Sequence, residues 1–206
     1  MKITEIKPCR KHETKVVADG EEFLLDSETV LLSSLKEGMD IDRSALEKLK
    51  AESDFSRAKS RALWYLSRAD HSKAALYKKL CRAYDSSAAE KAVARMEEMG
   101  LIDDFQYAQN LSTALRDANV SDREIMRKLF AKGVPSDIAK QVVEELDSNP
   151  QSQIAELIVK KYARKLETEE GVQKVYAALM RKGFSYGDVK AALREYSENL
   201  NNCEEI

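Results

Sequence analysis

The stretch "RKLFAKGVPSDIAKQVVEEL", residues 127–146, contains two amphipathic segments separated by Lys132-Gly133. This pattern predicts two helices joined by a tight turn, because glycine readily ends a helix in the left-handed conformation. Such pairs occur in helix-turn-helix domains that read DNA bases and in packed helical repeats. Polar residues for the front of the second helix are Ser136, Asp137, Lys140, Gln141, Glu144 and Glu145. Three acids against one base would repel phosphates, which favours the repeat.

A repeat of about 50 residues runs through the helical part of the chain. Leu80, Leu129 and Leu179 lie 49 and 50 residues apart, and an apolar residue stands four positions before each. A short turn follows each leucine ("CRAYD", "FAKGVP" or "MRKGFS"), and another amphipathic segment follows each turn. A further helical segment precedes each pair. The sequence therefore predicts three units of three helices.

Capping residues support these units. Ser121 and Glu124 have the spacing of a capping box, and Ser72 stands at the same offset from its leucine as Ser121. Asp103-Asp104 lie where the first helix of the second unit should begin, a favourable place for acids. Gly133 and Gly183 are predicted to end helices in the left-handed conformation.

The first 54 residues are predicted to form a small αβ element. "TKVVADGEEFLLD" predicts a β-hairpin turning at Asp19-Gly20, and "SETVLLSSLKEGMDID" predicts a short helix closed by Gly38. The expected fold is mainly α, a tandem array of three three-helix repeats with this N-terminal hairpin and helix. The predicted boundaries are 1–54, repeats at 55–102, 103–150 and 151–200, and a tail at 201–206.

Composition narrows the class of protein. No apolar run of 18 residues occurs and the N-terminus has no apolar core segment, so we expect neither a membrane span nor a signal peptide. Cys9, Cys81 and Cys203 are predicted to be free thiols in a reducing cytoplasm. A net charge of −2 and a pI near 5.9 argue against a wholly DNA-binding surface.

Charge is nevertheless strongly polarised along the chain. Residues 57–82 hold eight bases and one acid, whereas residues 13–54 hold twelve acids and five bases. A net charge of +7 over so short a stretch indicates a surface for a partner.

Enzyme chemistry has little support. The two histidines are His12 and His71, and Cys9-x-x-His12 is half of a zinc site without a second half. Neither a glycine-rich phosphate loop nor a nucleophile with its base is evident. We predict a non-enzymatic protein without metal or cofactor.

The basic stretch contains the best candidate for a binding surface. On a helical projection Arg57, Arg61 and Arg68 form one stripe that includes Trp64, an arrangement suited to base stacking and phosphate contact. The alternative is that Trp64 packs under the N-terminal element, whose acids pair with the arginines. The full set of candidates is Arg57, Arg61, Trp64, Arg68, Lys73, Lys78, Lys79, Arg82, Arg127, Lys128, Lys132, Lys160, Lys161, Arg164 and Lys182.

Four segments together resemble the RecX family, regulators of the RecA recombinase. They are "ALWYLSRADHSKAALYKKL" (62–80), "GLIDDFQYA" (100–108), "REIMRKLFAKGVP" (123–135) and "LMRKGFSYGDV" (179–189). Their order and spacing match the family over roughly residues 55–196. The chain departs from it at Ala69, where arginine is common, and at Asn119-Val120, where glycines are common.

The resemblance implies an elongated, non-enzymatic array of three-helix units that acts in DNA repair and the SOS response. Such proteins bind RecA filaments on single-stranded DNA and restrain ATP hydrolysis, strand exchange and filament growth. We also expect a cytoplasmic and monomeric protein. Two alternatives stay open: a sequence-tolerant nucleic-acid-binding module that acts without RecA, and a helical scaffold for another protein.

Overall fold

The structure, a computed structural model, describes residues 1–10, 12–146 and 148–204; the side chains of residue 10 and residues 199–204 are not described. The chain divides into two compact units, Met1–Asp103 and Asp104–Ile206. The described elements of the first unit are β1 (Ile3–Arg10), β2 (Glu13–Ala18), β3 (Glu21–Asp26), α1 (Ser27–Leu32), α2 (Arg43–Leu66), α3 (Lys73–Leu80) and α4 (Ser86–Glu98).

The N-terminal strands form an antiparallel sheet in the order β1-β2-β3. The predicted hairpin is confirmed, with Ala18 opposite Glu21 and positive φ angles at Asp19 (48°) and Gly20 (78°). Strand β1 was not predicted, and it adds a third strand to the confirmed hairpin. Its Pro8 argues against a central strand but is tolerated at a sheet edge, where β1 lies.

Helix α1 is shorter than predicted. It begins after Asp26, whose carboxylate accepts the N–H groups of Glu28 and Thr29, and it ends at Leu32 rather than at Gly38. Gly38 has a φ of 83° and lies in the next turn, where its N–H donates to the carbonyl of Ile3 at 2.8 Å. This glycine therefore joins the turn to the sheet.

One continuous helix, α2, crosses the predicted boundary between residues 54 and 55. Near its start Leu46 belongs to the core under the sheet, and near its end Ala58 and Ala62 belong to the core formed with α3 and α4. Between them the Ser53 hydroxyl accepts the N–H of Asp26 at 2.5 Å. The N-terminal element and the first three-helix group thus share a helix.

The second unit contains the remaining helices. A π-helical turn (Ile158–Tyr162) and a 3₁₀ turn (Ala163–Lys165) follow α8. The described helices are α5 (Asp104–Asp117), α6 (Asp122–Ala131), α7 (Ser136–Glu144), α8 (Pro150–Leu157), α9 (Glu169–Arg181) and α10 (Tyr186–Glu204). Helix α10 thus includes the first four residues of the predicted tail, whereas residues 205–206 and the side chain of Cys203 lie outside the described part.

The repeated leucines have the predicted place in the structure. Leu80, Leu129 and Leu179 are fully buried, each in a separate apolar cluster with the residue four positions earlier. The mainly α fold with a small N-terminal αβ element is confirmed.

The predicted caps are confirmed with one change. Gly133 and Gly183 have φ angles of 77° and 89°, and the Ser72 hydroxyl caps α3. The Ser121 hydroxyl accepts the N–H of Glu124 at 3.4 Å, which is half of a capping box. The other half is missing, because the Ser121 N–H donates to the carbonyl of Lys182 and the Glu124 carboxylate binds Arg127 at 2.7 Å.

Candidate nucleic-acid interface

The end of α2 presents an aromatic ring with two cations close to it. The Trp64 side chain lies at the surface, 43% exposed. The guanidinium carbon of Arg61 is 5.1 Å from the ring centroid, and that of Arg68 is 4.2 Å away. Helix α2 ends at Leu66, so Arg68 approaches the ring from the following turn. We call Arg61, Trp64 and Arg68 the α2 ladder; it offers a stacking surface flanked by positive charge.

Arg57 does not belong to this exposed group. Its guanidinium binds Glu13 at 2.6 Å and Asp54 at 3.5 Å, and its side chain is 21% exposed. Its guanidinium carbon also lies 5.8 Å from the centroid of the Tyr84 ring. Pairing of the arginines with N-terminal acids was one alternative expected from the sequence, and Arg57 follows it. Its guanidinium is therefore engaged within the first unit.

The cluster around Arg57 carries an electrostatic cost. Burial raises the pKa of the Asp54 carboxyl, and the nearby Arg57 and Lys50 only partly oppose that effect. The Oε2 atom of Glu13 is buried and has no hydrogen-bond partner among the described residues. Both carboxyls therefore depend on Arg57 for compensation.

Further candidates lie on α3 and in the turn that follows it. The Lys79 ammonium lies 4.9 Å from the Tyr65 ring centroid and 2.9 Å from Nε2 of His71. Lys73 forms a 2.6 Å ion pair with Glu97. The side chains of Lys78 and Arg82 are exposed. The basic stretch thus contains exposed cations together with cations held by neighbours.

Lys182 forms hydrogen bonds with backbone carbonyls in the second unit. Its ammonium donates to the carbonyls of Ala118 at 2.6 Å and Asn119 at 3.4 Å. Burial lowers its pKa, and the positive charges of Lys161 and Lys128 lower it further. The structure therefore brings together three lysines that are distant in sequence.

Other candidates in the second unit are bound within single helices. Arg127 binds Glu124 on α6, and Lys160 binds Glu156 at the end of α8. These pairs link neighbouring turns of one helix. The remaining candidates of this unit are the exposed Lys132, Lys161 and Arg164 and the half-buried Lys128.

Sequence reasoning missed the conformation of Asn119. Its φ is 53°, in the left-handed region, and its side-chain amide donates to Glu156 at 3.1 Å. Asparagine tolerates this conformation better than most residues. The departure from glycine at this position is therefore compatible with the turn before α6.

The described residues contain no cluster of side chains suited to binding a metal ion. No group of three His, Cys, Asp or Glu side chains within 1–10, 12–146 and 148–204 is arranged to hold a metal ion. Cys9 and Cys81 are free and exposed. None of the helices in that part of the chain is long and apolar enough to cross a membrane.

Two segments match models of known domains. Residues 58–96 match the first three-helix domain of RecX, and residues 149–193 match its third three-helix domain. These segments include the α2 ladder and the third leucine of the repeat.

Curated relatives align over nearly the whole chain. "Regulatory protein RecX" of Streptococcus mutans is 27% identical over 211 residues, covering 100% of this chain and 82% of the relative. The protein of the same name from Clostridioides difficile is 26% identical over 200 residues, covering 94% of each chain.

Two solved structures share the fold. A crystal structure of regulatory protein RecX aligns with a TM-score of 0.63 and 22% identity, covering 94% of this chain and 98% of that one. The structure of RecX from Lactobacillus salivarius aligns with a TM-score of 0.56 and 22% identity, covering 69% and 96%.

Proposed function

Because the chain belongs to the RecX family of regulatory proteins, we propose that it binds RecA filaments on single-stranded DNA and inhibits them. The inhibited steps are ATP hydrolysis, strand exchange and filament growth. The main support for contact with the DNA of such a filament is the α2 ladder, because it combines an aromatic ring suited to base stacking with two cations.

The repeated helical cores suit a polymeric partner. Three clusters of buried residues recur at the spacing of Leu80, Leu129 and Leu179. If each repeat meets a successive part of a filament, weak contacts multiply because later contacts become intramolecular. We keep residues 55–102, 103–150 and 151–200 as the proposed division into repeats.

The mechanism proposed here is non-enzymatic. A protein seated on the filament would obstruct subunit addition and strand exchange by occupying its surface. We propose that it acts as a monomer in the cytoplasm, and that Arg61, Trp64 and Arg68 contact DNA while the other exposed cations contact DNA or RecA.

RecA ATPase activity on single-stranded DNA tests the proposal. Hydrolysis should fall when the protein is added below the concentration of RecA, and filament length should fall in electron micrographs. Unchanged hydrolysis together with unchanged filament length would reject the proposal.

The α2 ladder also favours a second candidate, a nucleic-acid-binding module that acts without RecA. This candidate requires tight binding to bare single-stranded DNA with a steep dependence on salt. Weak binding that does not depend on Arg61 or Arg68 would reject it. A pull-down from lysate separates both ideas from a scaffold for another protein, since RecA should be the main protein recovered.

A further inference from the structure

We propose that the groove beside Trp64 accepts one unstacked base of single-stranded DNA and prefers guanine to thymine. This inference rests on the part of the proposed function in which the α2 ladder contacts DNA. It adds a site, a ligand class and a base preference.

The groove lies between α2 and the N-terminal element, within the first unit. Its volume is about 560 Å³, and it is lined by Arg61 and Trp64 on one element and by His12 and Glu28 on the other. Ligand sites commonly have volumes of about 300–1,000 Å³. The space therefore suits a single nucleotide.

The aromatic side of the groove favours a flat ligand. Trp64 is exposed, and the Arg61 guanidinium lies 5.1 Å from its ring centroid. Tyr84 also lines the groove, below the Arg57 guanidinium. A base can stack on the indole while its phosphates meet Arg61 and Arg68.

The acidic side of the groove provides base selection. Glu13 is bound to Arg57 through Oε1 and its Oε2 is buried, while the Asp26 carboxylate already accepts the N–H groups that begin α1. Glu28, in the first turn of α1, is exposed and lines the groove. We therefore assign the reading of the base to the Glu28 carboxylate.

Hydrogen-bond chemistry explains the preferred base. A carboxylate is an acceptor with two oxygens, and guanine presents the adjacent N1–H and N2–H₂ donors on its Watson–Crick edge. Thymine presents one N–H between two carbonyl oxygens, which a carboxylate repels. A good bidentate pair discriminates between bases by about tenfold or more.

Trp64 is the only tryptophan in the chain, so its fluorescence reports directly on this groove. The experiment uses the full chain and two labelled strands, all-thymidine and the same strand with one central guanosine. Labelled-strand anisotropy gives affinity, and tryptophan emission gives stacking. We expect about tenfold tighter binding of the guanosine strand, with stronger quenching.

Two variants complete the test. Glu28→Gln should abolish the preference, because an amide no longer offers two equivalent acceptors. Glu52→Gln removes an exposed acid of α2 outside the groove and should preserve the preference. Equal affinity of wild type for both strands, or a preference that survives Glu28→Gln, would overturn the inference. A third outcome would also overturn the inference. If both strands quench Trp64 emission equally and an added peptide displaces the bound DNA, the groove binds protein rather than a base.

The proposed function is tested separately. Wild-type inhibition of RecA ATPase on the all-thymidine strand, without any preference for guanosine, rejects the base site and leaves the RecA proposal standing. A guanosine preference with neither ATPase inhibition nor shortened filaments rejects the RecA proposal and supports the base site.

Discussion

The backbone N–H of Ser121 donates to the backbone carbonyl of Lys182 at 3.1 Å. Ser121 is the N-cap of α6, and Lys182 is the C-cap of α9, so the bond joins the start of one helix to the end of another. The Lys182 ammonium reaches the carbonyl of Ala118 in the same region. The turn after α9 therefore fixes the entrance to α6.

Gly183→Ala should destabilise the protein strongly. Gly183 has a φ of 89°, and an added Cβ would lie 2.6 Å from Cβ of Glu124 and would also clash with Oγ of Ser121. Left-handed strain costs about 1–2 kcal/mol and overpacking about 1–3 kcal/mol. We expect a loss of about 2–5 kcal/mol in the free energy of unfolding, measured by urea denaturation.

Gly100→Ala is the matched control for this experiment. Gly100 also has a positive φ, 67°, but a Cβ there would meet nothing within 4 Å. It should lose only the strain, about 1–2 kcal/mol. Equal losses for the two variants would show that the close approach at Gly183 has no energetic weight.

Arg57→Gln tests whether Arg57 stabilises the first unit by pairing with its partly buried acids. The change leaves the carboxylates of Glu13 and Asp54, whose side chains are 18% and 14% exposed, without their cation. We expect a loss of about 1–3 kcal/mol in unfolding free energy, moderated by this partial exposure. Arg95→Gln removes an exposed pair with Glu98 and should cost less than about 1 kcal/mol. Similar losses for both variants would contradict the interior role.

Local patterns carried most of the correct sequence predictions. The leucines at 80, 129 and 179 were identified as core because helical periodicity is a property of neighbouring residues. The Asp19-Gly20 turn was likewise predictable from the two residues that form it. Predictions of these kinds need no knowledge of distant contacts.

The candidate site was only partly predictable from the sequence. Contacts between residues distant in sequence decide which cations are paired and which are exposed. Arg57 and Arg61 share one stripe, yet Arg57 is paired with Glu13, 44 residues away. Lys182 similarly binds the carbonyl of Ala118, 64 residues away. Such pairings depend on how the N-terminal sheet packs on α2 and on how the turn after α9 meets the turn after α5, which a helical projection does not contain.

Arg61→Gln and Arg68→Gln should each weaken binding to single-stranded DNA across all sequences. Each arginine that contacts a phosphate contributes about 0.7–1 to the slope of log affinity against log salt. Fluorescence titrations from low to moderate salt should therefore give a shallower slope for each variant. Arg95→Gln, on α4, should keep the wild-type slope, since this exposed arginine is not part of the α2 ladder and is paired with Glu98. An unchanged slope in both ladder variants would show that neither Arg61 nor Arg68 contacts a phosphate.

Asp54→Asn should reveal a pH dependence that comes from burial. The folded-state pKa of Asp54 is raised above its ordinary value of 3.8, chiefly by burial and also by Asp85, while Arg57 and Lys50 oppose the rise. A raised pKa means that the folded state binds the proton more tightly than the unfolded chain. The resulting stabilisation is fully present below pH 3.8 and is lost as the pH rises through the folded-state pKa. The unfolding free energy of wild type minus that of Asp54→Asn should therefore fall as the pH rises from acid to neutral. Urea denaturation at several pH values measures this difference, which isolates Asp54 because the other carboxyls titrate in both proteins. A difference that stays flat or increases with pH would show that Arg57 outweighs burial at this carboxyl.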